Sequence, residues 1–474
     1  MAEYLRAVNP RGWTAEEVAQ ATGGLWRGEP PARIRGVAID SRAVGEGFLF
    51  VALPGARADG HQFVEEAFSR GASAALVERI LPSYEDWPLL VVEDSRLALG
   101  RLARWHRRRF SVPVVGITGS VGKTTTREMT AAVLGRKTAI LAARENLNSD
   151  VGLPLVLLEM TGEEEAVVLE MAMRGPGQID YLCRLAEPSV GVITTIGESH
   201  MEFFRSQEEL ADAKFELIRA LPPSGHGVLP WDHPLVRKRA HQSRAPILWF
   251  GEGEGSQVRA REVEIRGREG VSFLLQTPRG RARVVLPVPG RHLVLNALAA
   301  AAVGHLFGLG PEEVAEALRN YRPQGHRTEI LRLMGATILD DAYNSSPTSL
   351  RAALQVLRQV GEGTPLKALL ADMLELGEGA PRHHREVGRE LGFLSGLITL
   401  GPLAYHIGEG ALEGGLSPES WVHAGTEEEA LEALRAMLKP GDTWLIKGSR
   451  GWQLEKILAR LRAGGEDSAG DLSR

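Results

Sequence analysis

Short apolar runs, each ending in a glycine, a carboxylate or a lysine, recur from residue 114 to residue 447, with amphipathic stretches between them. This rhythm predicts strands over 114–118, 167–171, 190–195 and 227–230, with a helix over 207–221, the alternation of a parallel sheet. Ahead of it, shorter strands are predicted over 34–39, 48–53, 74–77 and 89–92, punctuated by Gly55, Gly60 and Gly71. Asp94-Ser95 reads as the cap of a basic helix over 96–109. Residues 256–288 alternate charged and apolar positions and predict a hairpin insert. Helices over 293–306 and 311–318 follow, then a linker, Tyr321-Arg322-Pro323-Gln324-Gly325. Strands over 338–341, 368–372, 398–401 and 443–447, with helices between them, make a last α/β block. The expected fold class is therefore α/β in three domains: a small mixed α/β domain over 1–93, a central parallel-sheet domain over 94–325, and a Rossmann-like C-terminal domain over 326–474.

The densest chemistry follows the strand at 114–118. Thr118-Gly119-Ser120-Val121-Gly122-Lys123-Thr124-Thr125 joins a strand to a helix through a glycine loop. Small residues let backbone N–H groups converge on oxygens, and the helix start adds positive potential. Lys123 is placed to reach the β/γ-phosphates and Thr124 to offer its hydroxyl to Mg²⁺. Ile117 stands where the usual spacing has a glycine, so the loop is a tighter variant. The central domain thus reads as P-loop and ATPase-like. Other charged or polar residues fall at predicted strand ends. Glu170 closes one apolar strand, and His200 follows another in Gly197-Glu198-Ser199-His200-Met201-Glu202. Asp341 and Asn344, Asp372 and Glu375, and Lys447 and Arg450 repeat the placement, which gathers ligands in open α/β sheets. Singly, each is as readily a solvated charge. Together they suggest one facing site.

Composition sharpens this picture at two points. The net charge of −5 gives no global basic field, so nucleic acid is not an expected partner. Only eight lysines stand among 55 basic residues, so arginine is the default cation here. A lysine within a motif then invites a chemical reason, because arginine does not act as an amine. Lys123, Lys214 and Lys447 all lie in such segments. One cysteine, no signal-peptide layout at the N-terminus and no apolar run long enough for a bilayer lead to the expectation of a cytoplasmic protein without membrane insertion.

Taken in order, Asp40-Ser41-Arg42, Asp59-Gly60-His61, the phosphate loop, Gly-x-x-His-Met-Glu with Ala213-Lys214-Phe215-Glu216, Asp340-Asp341-Ala342-Tyr343-Asn344, Asp372-Met373-Leu374-Glu375-Leu376-Gly377 and Lys447-Gly448-Ser449-Arg450 resemble the Mur ligase family over nearly the whole chain. The resemblance is nearest to its MurF-type branch. It implies ATP-dependent joining of D-alanyl-D-alanine to UDP-N-acetylmuramoyl-tripeptide through an acyl phosphate, with ATP and Mg²⁺ required and a monomer as the working form. It implies UDP-sugar binding by residues 1–93, with Ser41 and Arg42 near the diphosphate, and dipeptide binding by residues 326–474. ATP would be held by Thr118, Gly119, Ser120, Gly122, Lys123, Thr124, Thr125, Asn296 and Asp341, and metal by Thr124, Glu170 and His200. Lys123, Lys214, His200 and Arg327 are implied in catalysis, Lys214 as the lysine the family carbamylates. Two readings compete: a MurE-type ligase adding the third amino acid, and a non-catalytic nucleotide switch.

Overall fold

The computed structural model describes residues 5–463 and the backbone of 464–466, except 56–57, 81–83, 85, 145 and 199–200. Three sheets follow one another along the chain. The first has six strands. Ile34–Ala38, Phe48–Val51, Ala72–Val77 and Leu89–Val91 run parallel, and Arg6–Trp13 and Leu25–Arg27 pair antiparallel at its two edges. Neither edge strand was legible as an apolar run. Arg6–Trp13 buries only Ala7, Asn9 and Trp13 of its eight residues, so it presents no continuous apolar run.

The central sheet has nine strands, and Val114–Thr118 lies between Ala166–Glu170 and Val190–Ile193. All five residues of Val114–Thr118 are buried, as an apolar run in a covered parallel sheet requires. Two expectations are corrected here. The stretch 256–288 is not an insert. Val258–Ile265 pairs parallel with Ile247–Gly251, and Val271–Thr277 and Gly280–Leu286 extend the same sheet. Its apolar alternation faces inward, and Val271, Phe273, Leu275, Val284 and Leu286 share a core with the Ala-rich helix Leu293–Leu306. The helix expected over 207–221 is broken into Gln207–Lys214 and Glu216–Arg219. The last sheet again has six strands, ordered from Glu329–Leu333 through Ala336–Asp340, Thr443–Lys447, Leu366–Ala371 and Gly396–Leu400 to Trp421–Ala424. All are parallel except the first. Among the described residues no helix is long and apolar enough to cross a membrane.

Two buried histidines lock parts of this frame. His106, on the helix Ser95–Arg107, accepts from Trp13 Nε1 at 3.0 Å and donates through Nε2 to Met160 O at 2.8 Å, tying the first sheet to the central one. His384 accepts from the Met373 amide at 2.8 Å and donates through Nδ1 to Ala380 O at 2.6 Å. Burial pushes both imidazoles down to about 4, so each is held neutral. The unfolded chain binds these protons near pH 6.5 and the native chain refuses them. Stability is therefore full above about 6.5 and lost as pH falls toward 4. Each histidine accounts for a loss of about 2 kcal/mol at pH 5. Urea unfolding at pH 7 and pH 5 reads this directly.

Candidate active site

The chain leaves Val114–Thr118 toward Ile140–Ala142, returns through Ala166–Glu170, and crosses to Val190–Ile193 on the other side. Strand order reverses there, and the carboxyl ends diverge into a crevice. The phosphate loop fills it. Gly122 takes a left-handed φ of 82° and precedes the helix Lys123–Leu134 with no side chain capping it, which leaves the first amides of the helix free for an anion. A Cβ on Gly122 would stand 2.7 Å from Asn296 Oδ1, and one on Gly119, where φ is 153°, would stand 1.9 Å from Thr194 Oγ1. That same Thr194 hydroxyl donates to Val121 O at 2.6 Å, and the Ser120 amide donates to Thr195 O at 2.8 Å. The loop is thus braced by the neighbouring strand. Gly119→Ala is expected to cost about 2 kcal/mol in a urea melt by overpacking this brace, and to weaken nucleotide binding with it.

Behind the loop, Lys123 Nζ donates to Gly119 O at 2.9 Å. Lost hydration holds this amine below the usual lysine range, against Glu170, which favours the charge, and with Arg327, which opposes it. Thr124 Oγ1 donates to Glu170 Oε2 at 2.8 Å, and Asn148 Nδ2 donates to Glu170 Oε1 at 2.8 Å. Arg127 approaches the same carboxylate at 3.9 Å. A hydroxyl and a carboxylate 2.8 Å apart beside a phosphate loop are hard oxygen donors. Such donors fit Mg²⁺ completed by phosphate oxygens and water. Among the described residues no three His, Cys, Asp or Glu side chains gather around one point. His200 lies outside the described residues. Lys214, at the end of Gln207–Lys214, is 1 % exposed, and no described carboxylate forms an ion pair with it. Burial, and secondarily the charge of Lys123, holds its amine well below the usual range.

The last domain faces this loop. Asp341 pairs with Lys447 at 2.5 Å and accepts from the Thr328 amide at 3.0 Å, and Lys447 also donates to Asn344 O at 2.8 Å. His326 and Thr328 take left-handed φ values of 60° and 56°, so Arg327 projects from a tight kink. Its guanidinium stacks 3.6 Å over the Tyr343 ring, and the Tyr343 hydroxyl donates to Asn146 of the central domain. Between the two domains lies a cleft of about 1540 Å³. Ser120, Gly122, Lys123, Thr124, Thr125, Glu170, Asn296, Arg327 and Asp341 all line it. Thr118 does not. Its hydroxyl is buried and donates to Met171 O at 2.9 Å, so its part is to brace the strand. Gly119 meets the site through its carbonyl to Lys123. Ser41 and Arg42 lie outside the cleft, Ser41 bonded to Glu66 at 2.9 Å and Arg42 to its neighbour Asp40. Asn148, Thr194 and Tyr343 line the cleft but were not singled out as site residues. Tyr343 stood in a motif already noted, but spacing gave no reason to choose it.

The Mur ligase family catalytic domain matches residues 33–107, the Mur ligase middle domain 117–304, and the Mur ligase glutamate ligase domain 326–450. The UDP-N-acetylmuramoyl-tripeptide--D-alanyl-D-alanine ligase of Bacillus subtilis (strain 168) is 38% identical over 433 residues, 90% of this chain and 93% of that protein. The chain belongs to the Mur ligase family. Among solved Mur ligases, a MurF from Acinetobacter baumannii superimposes with a TM-score of 0.86 at 33% identity, over 95% of this chain and 99% of that one. A second structure from that organism, described as UDP-N-acetylmuramoylalanyl-D-glutamyl-2,6-diaminopimelate--D-alanyl-D-alanyl ligase, has a TM-score of 0.83 at 33% identity, with 95% and 98% covered. MurF from Thermotoga maritima in complex with ADP has a TM-score of 0.79 at 30% identity, with 91% and 98% covered.

Proposed function

We propose that this Mur ligase joins D-alanyl-D-alanine to UDP-N-acetylmuramoyl-tripeptide with hydrolysis of ATP to ADP and phosphate. The observation that carries the reading is one cleft lined by Lys123, Thr124 and Glu170 on one side and by Arg327 and Asp341 on the other. Cations facing hard oxygen donors across one cleft suit activation of a carboxyl by ATP. The terminal carboxylate of the tripeptide attacks the γ-phosphorus of ATP and ADP departs, which leaves an acyl phosphate. The free amine of D-alanyl-D-alanine then adds to the acyl carbon, loses a proton, and inorganic phosphate leaves as the amide forms. Lys123 and the loop amides hold the β- and γ-phosphate oxygens and spread the charge that develops there. Arg327 leaves the Tyr343 face to reach the γ-phosphate. Asn296 and Asp341 hold the nucleotide. Thr124, Glu170 and His200 would hold Mg²⁺, which supplies charge neutralisation at the phosphates. Burial lowers the pKa of Lys214 and so favours the neutral amine, whose lone pair adds CO₂, and the carbamate would bring a negative charge toward the metal site.

In the same reading residues 1–93 hold the UDP-sugar through Ser41 and Arg42, residues 94–325 hold ATP, and residues 326–474 bring the dipeptide. The protein works as a monomer in the cytoplasm, where ATP is supplied. Phosphate release measured with each co-substrate omitted in turn tests the proposal. Release that needs ATP, the UDP-tripeptide and D-alanyl-D-alanine together is expected. Release with a UDP-dipeptide and a diamino acid points instead to addition of the third residue, and ATP binding without turnover points to a switch.

A further inference from the structure

In the ligase reading, on which this inference rests, Arg327 reaches the γ-phosphate from a kink in the backbone. Gly325, His326 and Thr328 all take left-handed φ values there, 71°, 60° and 56°. Glycine adopts them freely, but two residues with side chains stay in that region only where their surroundings over-determine them. One short segment does so. Asp340, at the carboxyl end of Ala336–Asp340, is 1 % exposed and accepts through Oδ2 from His326 Nδ1 at 2.7 Å. An ionised carboxylate only accepts, so Nδ1 carries the proton. The other oxygen of Asp340 accepts from the Ala342 amide at 3.2 Å, which fixes the carboxylate plane. Asp341, next in the chain, accepts from the Thr328 amide at 3.0 Å. The Tyr343 amide donates to His326 O at 3.1 Å, and the Tyr343 ring carries the Arg327 guanidinium. The His326 amide in turn donates to Glu329 Oε1 at 2.8 Å. Both residues flanking Arg327 are therefore tied to neighbouring aspartates. Arg327 and Thr328 line the cleft, whereas His326 and Asp340 lie outside it.

We propose that His326, held by Asp340, is a positioning residue for Arg327, fixing the backbone from which the guanidinium swings between the Tyr343 ring and the γ-phosphate. His326 acts only through its neighbour. A guanidinium at the end of a long side chain amplifies any rotation at its own Cα, and stabilisation of a transferring phosphoryl group depends on donors placed to within about an ångström. Without the bond to Asp340 the left-handed residue relaxes toward ordinary backbone and carries the base of Arg327 with it. ATP itself is held by the phosphate loop, Asn296 and Asp341, so the effect falls on the transfer step and spares nucleotide binding.

The test is a double-mutant cycle on His326 and Arg327, read as kcat and as KM for ATP in phosphate release with the UDP-tripeptide and D-alanyl-D-alanine saturating. His326→Ala is expected to lower kcat by about 10- to 100-fold and to leave KM for ATP within about threefold. His326→Asn is expected to recover most of the rate, because its amide sets an N–H where Nδ1 stood and asparagine tolerates the left-handed region. Arg327→Ala alone lowers kcat by about 10²-fold or more. Adding His326→Ala to it should change kcat by less than about twofold, since no guanidinium is left to position. A histidine that serves the fold alone lowers the rate by the same factor in both backgrounds. If His326→Ala does not fold, His326→Gly takes its place in the cycle, since glycine keeps the left-handed φ without the ring. Equal factors in the two backgrounds, a loss carried by KM for ATP, or no recovery in His326→Asn overturns the positioning role while leaving the ligase reading in place. No release by the wild-type chain with all three co-substrates overturns both.

Discussion

Lys123→Ala is expected to abolish turnover while leaving the protein folded. Among the described residues the side chain bonds only a loop carbonyl, Gly119 O, so no described carboxylate loses a direct partner on its removal. Hydration is already lost at this ammonium, and burial outweighs the favourable pull of Glu170. Its truncation therefore costs the folded state little, and a urea midpoint within about 1 kcal/mol of wild type is expected. Catalysis is different. Charge builds on the γ-phosphoryl oxygens during transfer, and a preorganised cation in a site with little water counts for far more there than in solution. A loss of about 10²–10³-fold or more in phosphate release follows. An unchanged rate in a folded Lys123→Ala protein would remove the phosphate-loop assignment.

Glu170→Gln is the second large effect. The two carboxylate oxygens accept from the Thr124 hydroxyl and from the Asn148 amide, 2.8 Å each. Glutamine keeps the shape and one acceptor. It sets an NH₂ against one of these donors, and the Thr124 hydroxyl is the one able to rotate and accept. The expected fold cost is about 1–2 kcal/mol. The loss of negative charge matters more, because Arg127 at 3.9 Å then has no counter-charge at this carboxyl and a divalent cation loses a hard anionic ligand. We expect phosphate release to fall by about 10²-fold or more, with part of the loss recovered at high Mg²⁺. Recovery by added Mg²⁺ distinguishes a metal ligand from a packing residue. A rate that falls without any response to the cation would assign Glu170 to structure alone.

Much of the site was legible because its geometry is local. A glycine ahead of a helix, a lysine as the first helical residue and a threonine after it need only backbone stereochemistry to form a phosphate cradle, and the helix Lys123–Leu134 starts at that lysine. The strands expected over 167–171, 338–341 and 443–447 formed as Ala166–Glu170, Ala336–Asp340 and Thr443–Lys447, the first two ending one residue earlier than expected. The helix at Leu293–Leu306 has the bounds expected of it. The order of these motifs along the chain was enough to point to three α/β blocks and an ATP-dependent ligase.

Other features depend on what packs against what. The polar strand Arg6–Trp13 exists because Ile34–Ala38 offers it an antiparallel partner, and the alternating segment 258–286 continues a sheet because its apolar face meets the helix above it. Lys214 sits mid-motif in a polar helix and looks solvated until Gln207–Lys214 is packed away from water. Tyr343 meets Asn146 across 197 residues, and Asn148 meets Glu170 across 22. Sequence by itself determined the phosphate cradle, most of the element types and the family, since each follows from short-range spacing and order. Tertiary structure alone decided which lysine loses its hydration, which amides hold Glu170, and that Asp340 and Asp341 hold the two residues flanking Arg327 while Ser41 and Arg42 lie outside the cleft. Desolvation and electrostatic pairing are sums over every element surrounding a group, and no segment of the chain carries that sum by itself.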